Sequence, residues 1–190
     1  MQHRVFIAIN LPENIKKKLS DSRKKWPDLP CRWVKKENLH ITLVFIGYLT
    51  DDELLKILNI AKETAKNHEP FLIKLTKILY GPPKKPPRMV WVEGEINEAL
   101  GKLQTNLENS LQEMPFEKES RAHTPHITLG RLREWEFRKM EPEEIPEVNE
   151  EISFHFFAES IELMESELKK TGPEYTILES IPLGENEKNV

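Results

Sequence analysis

The sequence predicts an α+β fold, on three observations. Strand-length apolar or alternating runs occur seven or eight times along the 190 residues, while three segments carry a helical period. These elements come in mixed order rather than regular alternation, which separates α+β from doubly wound α/β architecture. A strand–helix–strand order bearing a His-x-Thr triplet occurs near position 40 and again near 126. No strict repeat period accompanies it, so the reading is two related lobes, each giving one motif strand to a shared cleft.

In chain order, Val5–Ile9 reads as a buried strand closed by Leu11-Pro12. An amphipathic helix is expected from Glu13 to Lys25, with Ile15 and Leu19 turned inward. Leu39–Ile46 reads as a strand ended by Gly47. Thr50-Asp51-Asp52-Glu53 then has the spacing of a capping box, opening a helix to about Asn67. Phe71–Leu79 alternates in part, as a half-buried strand does, and a Pro-rich connection over Gly81–Pro87 leads to a strand at Met89–Val92. A second long helix is expected over Ile96–Met114, with Ile96, Leu100, Leu103, Leu107 and Leu111 as its stripe and Pro115 as its stop. Pro125–Leu132 is the next strand. Residues 134–150 are acidic and Pro-containing, a loop with a short helix. Strands at Ile152–Phe157, Ser160–Met164 and Tyr175–Ile181 close the chain, with a turn at Gly172-Pro173.

Composition narrows the function classes. No run of 18 apolar residues exists, so no spanning helix is expected. The start, Met1-Gln2-His3-Arg4, enters the short run Val5–Ile9 without the core or cleavage site of a signal peptide. Cys31 stands alone and cannot form an internal disulfide; a cytoplasmic location and a monomer are the expectations. The net charge of −4 is unevenly placed. Residues 134–190 hold 16 Glu against 5 Lys or Arg, leaving +7 on residues 1–133. Basic residues gather in Lys16–Lys25 and Lys74–Arg88, either as a surface for a phosphate polymer or as ordinary solvated faces. A negative chain is not the profile of a tight non-specific duplex binder.

The tetrapeptide His-Ile-Thr-Leu occurs at 40–43 and at 126–129. Its repetition matters less than the residue types that recur. On a strand, residues i and i+2 share a face, so His40 and Thr42 point one way while Ile41 and Leu43 anchor the other; His126 and Thr128 repeat this. Phosphodiester cleavage needs a base for the nucleophile, an acid for the leaving oxygen and donors for the phosphoryl oxygens. Two imidazoles can supply one neutral and one protonated member near neutrality, and threonine hydroxyls can donate to phosphate. Arg131, five residues after His126, is a further candidate for the anion. A zinc site through His123 and His126 is disfavoured, because three-residue spacing on a strand puts the rings on opposite faces and no Cys or acidic cluster joins them. No metal and no cofactor are expected. His3, His68 and His155 read as structural, and Phe45 as core.

These residues resemble those of a known group. Phe6-Ile7-Ala8-Ile9-Asn10-Leu11-Pro12, Trp33-Val34, Glu37-Asn38-Leu39-His40-Ile41-Thr42-Leu43 and Phe45-Ile46-Gly47 are similar to the two-histidine phosphoesterase superfamily, specifically its RNA 2′,3′-cyclic phosphodiesterases, also called 2′-5′ RNA ligases. The likeness resumes at Pro125-His126-Ile127-Thr128-Leu129-Gly130-Arg131, at Glu165-Ser166-Glu167-Leu168 and at Gly172-Pro173-Glu174-Tyr175. The resemblance implies a bilobal, pseudo-twofold fold over residues 1–190, a single domain of two intertwined lobes, with two antiparallel sheets lining a central cleft and helices outside. It implies metal-independent opening of a terminal RNA 2′,3′-cyclic phosphate to a 2′-phosphate, with tRNA fragments among the RNA partners. His40 is then the proton donor, His126 the acceptor, and Thr42, Thr128 and Arg131 the substrate-binding residues. Two other readings stay open: an ATP-independent 2′-5′ ligase joining tRNA halves, and an RNA-end-binding module without catalysis.

Overall fold

The computed structural model describes residues 2–83, 86–112, 126–169 and 172–184. In chain order these form β1 (His3–Asn10), α1 (Glu13–Ser22), β2 (Cys31–Trp33), β3 (His40–Leu49), α2 (Asp51–Lys66), β4 (Phe71–Gly81) and β5 (Met89–Gly94). Then follow α3 (Glu98–Ser110), β6 (Ile127–Leu132), α4 (Glu134–Phe137), β7 (Asn149–Ala158), β8 (Ser160–Lys169) and β9 (Gly172–Pro182). Single 3-10 turns cover Arg23–Lys25, Lys36–Asn38 and Pro142–Glu144.

The strands run in the order β7-β4-β5-β6-β3-β1-β8-β9, all antiparallel, with β2 added beside β6. Two four-stranded halves meet between β3 and β6, and pairing there is limited to Ile41 opposite Ile127. The two expected sheets are thus halves of one sheet, pinched where the motif strands meet. β1 and β3 with the last two strands make one half, and β4 to β7, joined by β2, make the other. One face of the sheet is covered by α1, α2 and α3 over a continuous apolar core that runs through both halves. No described helix is long and apolar enough to cross a membrane.

Local chemistry explains the helix boundaries. Thr50 Oγ1 accepts from the Glu53 backbone N–H while the Glu53 carboxylate accepts from the Thr50 N–H, the reciprocal box that the spacing predicts. At α3 the expectation needs correcting. Asn97 Oδ1 accepts from the Leu100 N–H, so the helix begins at Glu98, and Ile96 lies before the cap, fully exposed. The rest of the stripe, Leu100, Leu103, Leu107 and Leu111, is buried, each side chain contributing about 1.5–3 kcal/mol relative to exposure. The helix also ends earlier than expected, at Ser110 with Leu111 as its C-cap and a turn at 111–112; Met114 and the expected stop at Pro115 lie outside the described residues.

Strand β3 also differs from expectation. It runs past Gly47 to Leu49, because that glycine, at φ +99°, passes the strand through a register shift opposite Val5 and Phe6. The three-residue β2 escapes periodicity altogether, being too short to show one. It pairs so closely with β6 that a Cβ on Gly130 would meet Cys31 Sγ at 2.3 Å.

Candidate active site

The two motif strands share one irregularity. In the β1–β3 ladder Ala8 pairs Thr42 and Ile7 pairs Val44, leaving Leu43 unpaired. In the β5–β6 ladder Trp91 pairs Thr128 and Val90 pairs Gly130, leaving Leu129 unpaired. Each is a β-bulge three residues after the histidine, and a bulge reverses the facing of every residue beyond it. The burial pattern from His40 to Phe45 is therefore the same as that from His126 to Arg131. Residues 41, 43 and 44 and residues 127, 129 and 130 enter the core, while the sixth residue of each motif returns to the face of the His and Thr. Phe45 is accordingly not core, as expected, but 42% exposed on the cleft wall. Arg131, which an unbroken strand would turn away from His126, shares its face.

The cleft between the halves has a volume of about 420 Å³ and is lined by all five predicted site residues, His40, Thr42, His126, Thr128 and Arg131. Arg4, Arg32 and Lys35 join Arg131 on its wall, and among the described residues no Asp or Glu lines it. In a chain of net charge −4 this local excess favours an anion. Sequence runs did not point to these cations. Lys74 and Lys77 are instead paired with Glu95 and Glu151, Arg88 with Glu134, and Lys17 and Lys24 with Asp21. These paired cations lie on solvated faces, whereas Lys16 of the first cluster is buried; Lys84 and Lys85 lie outside the described residues.

His40 is held by polar and aromatic neighbours. Its Nδ1 donates to the Asn38 carbonyl at 2.7 Å, which leaves Nε2 as the acceptor of the neutral ring, 3.1 Å from Thr42 Oγ1. The Phe6 ring lies 5.0 Å away and the Tyr175 ring meets it edge-on at 5.2 Å. Burial is the main cause pushing the His40 pKa down to about 4; the Asn38 carbonyl opposes this, and Lys16 and His126 add to it. In the free protein this favours a neutral imidazole at His40, with Nε2 turned toward Thr42.

His126 is held differently. The Trp91 indole stacks on it at 3.8 Å between centroids and 19° between planes. Trp91 in turn lies flat over Gly81, where a Cβ would fall 2.2 Å from the indole. The far end of the cleft carries the Arg4 guanidinium 4.7 Å above the Phe45 ring, with Nη1 donating to Ser166 Oγ at 3.2 Å.

Among the described residues, the other histidines lie away from the cleft. His3 bridges Glu165 and Asp51, which raise its pKa, His68 contacts Asn106, and His155 sits exposed on β7. Among the described residues no three His, Cys, Asp or Glu side chains group as a metal site; His123 lies outside them. Arg4, Arg32, Lys35 and Trp91 went unnoticed in the sequence, where single cations and core-like aromatics carry no period. Arg4 was the most accessible, since it shares strand parity with Phe6 and Ala8.

Comparison with known proteins agrees with this geometry. A family model for LigT-like phosphoesterases matches residues 9–91 and again 92–175, so each match contains one His-x-Thr motif. An RNA 2′,3′-cyclic phosphodiesterase of Methanocaldococcus jannaschii is 31% identical over 92% of this chain and 98% of its own length. That of Methanothermobacter thermautotrophicus is 33% identical over 94% and 98%. A crystal structure of a Thermus thermophilus protein superposes with a TM-score of 0.82 at 28% identity, covering 96% of this chain and 100% of that one. Escherichia coli LigT, solved with 3′-AMP, shares the fold at a TM-score of 0.80 and 24% identity over 97% of this chain and all of that one. With two motif strands facing one cationic cleft and both halves matched, the chain belongs to the LigT-like phosphoesterases of the two-histidine superfamily.

Proposed function

We propose that this protein hydrolyses RNA 2′,3′-cyclic phosphate termini to 2′-phosphomonoesters by two-histidine acid–base catalysis without a metal. The observation that carries the reading is the repeated six-residue unit, which turns His40, Thr42 and Phe45 and then His126, Thr128 and Arg131 into one cationic cleft. The names of the relatives support the substrate class.

Opening to a 2′-phosphate breaks the O3′–phosphorus bond. Water must attack in line with O3′, with a base beside the water and an acid beside O3′. Following the family resemblance, His126 takes the proton from water and His40 gives one to O3′ through Nε2. The neutral His40 of the free protein must then gain a proton before the bond breaks. A phosphodiester anion seated against the ring favours the imidazolium, and the Asn38 carbonyl stabilises its Nδ1–H. Thr42 and Thr128 donate to the phosphoryl oxygens and Arg131 offsets their charge.

An oligonucleotide ending in a 2′,3′-cyclic phosphate, incubated with excess EDTA, tests the reading. The expected product is a 2′-phosphate end at an undiminished rate. Loss of activity restored by zinc or manganese would overturn metal independence, and no turnover in any condition would favour an RNA-end-binding module. A 2′-5′ joined product on adding a 5′-hydroxyl strand would mark the ligase reaction, in which that hydroxyl replaces water.

A further inference from the structure

Lys16 is a buried cation that the chemistry above leaves unused. It lies on α1 beside the inward Ile15 and Leu19, only 6% exposed, where a lysine is rarely found unless it has a partner. Its Nζ donates to the Glu37 carbonyl at 2.8 Å. Glu37 belongs to the 3-10 turn Lys36–Asn38, and the very next carbonyl, that of Asn38, receives Nδ1–H of His40. The Asn38 side chain ties the same turn to the β8–β9 hairpin by donating to the Pro173 carbonyl at 3.0 Å. One short turn is thus fixed from two sides, and the Asn38 carbonyl at its end aims the His40 ring.

We propose that Lys16 is a positioning residue for His40: by holding the Glu37 carbonyl it clamps the turn whose next carbonyl, that of Asn38, orients the ring. A cation near the imidazole opposes a second positive charge in a poorly solvated site. The charged and titratable groups acting on His40 are Lys16 from α1 and His126 before β6, with the Tyr175 phenol packed against its edge from β9. Lys16 itself faces the carboxylates of Glu13, Glu37 and Glu162 and the Lys36 ammonium, while burial lowers its own pKa. The phosphate of a substrate is then the group that tips His40 toward the charged form the donor role needs.

This inference rests on the proposed reaction for its purpose, but its test does not need turnover. The His40 ring is titrated by NMR in the free protein, in the wild type and in Lys16→Met, which keeps the apolar stem and removes the charge. The midpoint of His40 should move up only part of the way, since burial remains the main cause of its low value, and the same limb of the kcat/KM profile should move with it. Activity at neutral pH should fall ~10-fold as the ring loses its orientation. Lys16→Arg, which keeps charge and donor, should hold the titration where it is. Should Lys16→Met not fold, Lys16→Gln keeps an amide donor without the charge and reads the same shift. An unchanged His40 midpoint together with an unchanged kcat in Lys16→Met would overturn the inference, whatever happens to stability. A shifted midpoint in a protein with no activity on any cyclic phosphate would instead overturn the reaction proposed for the cleft.

Discussion

The two halves of the cleft present the same six-residue pattern but hold their histidines by unlike means. On the β3 side the ring is half-buried, its Nδ1 spent on a backbone carbonyl, with the Phe6 ring tilted beside it and the Tyr175 ring edge-on. On the β6 side the ring lies flat on an indole whose position depends on a glycine beneath it. Identical motifs place two imidazoles symmetrically, while their surroundings are unequal. The proposed acid–base reaction needs such a difference, since one group must give a proton while the other accepts one.

The largest effects should come from removing either ring. His40→Ala and His126→Ala are each expected to lower kcat on an RNA 2′,3′-cyclic phosphate by about 10²- to 10⁴-fold, the usual contribution of one positioned acid or base. Single-turnover rates check this. A loss confined to one variant would mean that the halves are not partners in one reaction.

Removing the indole sharpens the comparison further. Trp91→Leu should reduce kcat by ~10- to 100-fold, because a ring displaced by about 1 Å loses alignment with the attacking water. Its pH–rate profile should change on the limb that His40 does not control. A profile identical to the wild type, with only KM altered, would reduce the stack to packing.

What was legible in the sequence was what depends on period and on short-range spacing. The strands at Val5, Phe71 and Met89, the inward Ile15 and Leu19 and the Thr50 capping box all follow from side-chain spacing within a few residues. The motif pairs share a face, as period two requires, and line one cleft. What was not legible depends on neighbours distant in the chain. The bulges at Leu43 and Leu129 appear only when β1 and β5 are laid beside the motif strands, and they decide that Phe45 and Arg131 face the cleft. Lys74 and Lys77 look like a phosphate track until Glu95 and Glu151 pair with them. Ile96 fits a helical stripe, yet the side chain of its neighbour Asn97 starts the helix too late to include it.

The smallest expected effect concerns stability in acid. The His40 pKa in the folded protein, about 4, lies below the ordinary 6.5, so the unfolded chain binds more protons between these values. Stability due to this site is complete above about pH 6.5 and is lost as pH falls toward 4. His40→Asn should therefore lose less Tm than the wild type between about pH 7 and 4. Parallel Tm curves for the two proteins would mean that the buried ring is not what distinguishes the β3 side.

The central claim, that the two rings divide the proton transfers between them, is tested most directly by a substrate whose leaving group needs no proton. On a nitrophenyl phosphodiester the departing phenolate leaves unaided, so only the base is required. His40→Ala should retain much of the wild-type rate on this substrate while remaining crippled on RNA cyclic phosphate, and His126→Ala should be crippled on both. The reverse pattern would exchange the two roles, and equal damage from both variants on the nitrophenyl ester would contradict the division.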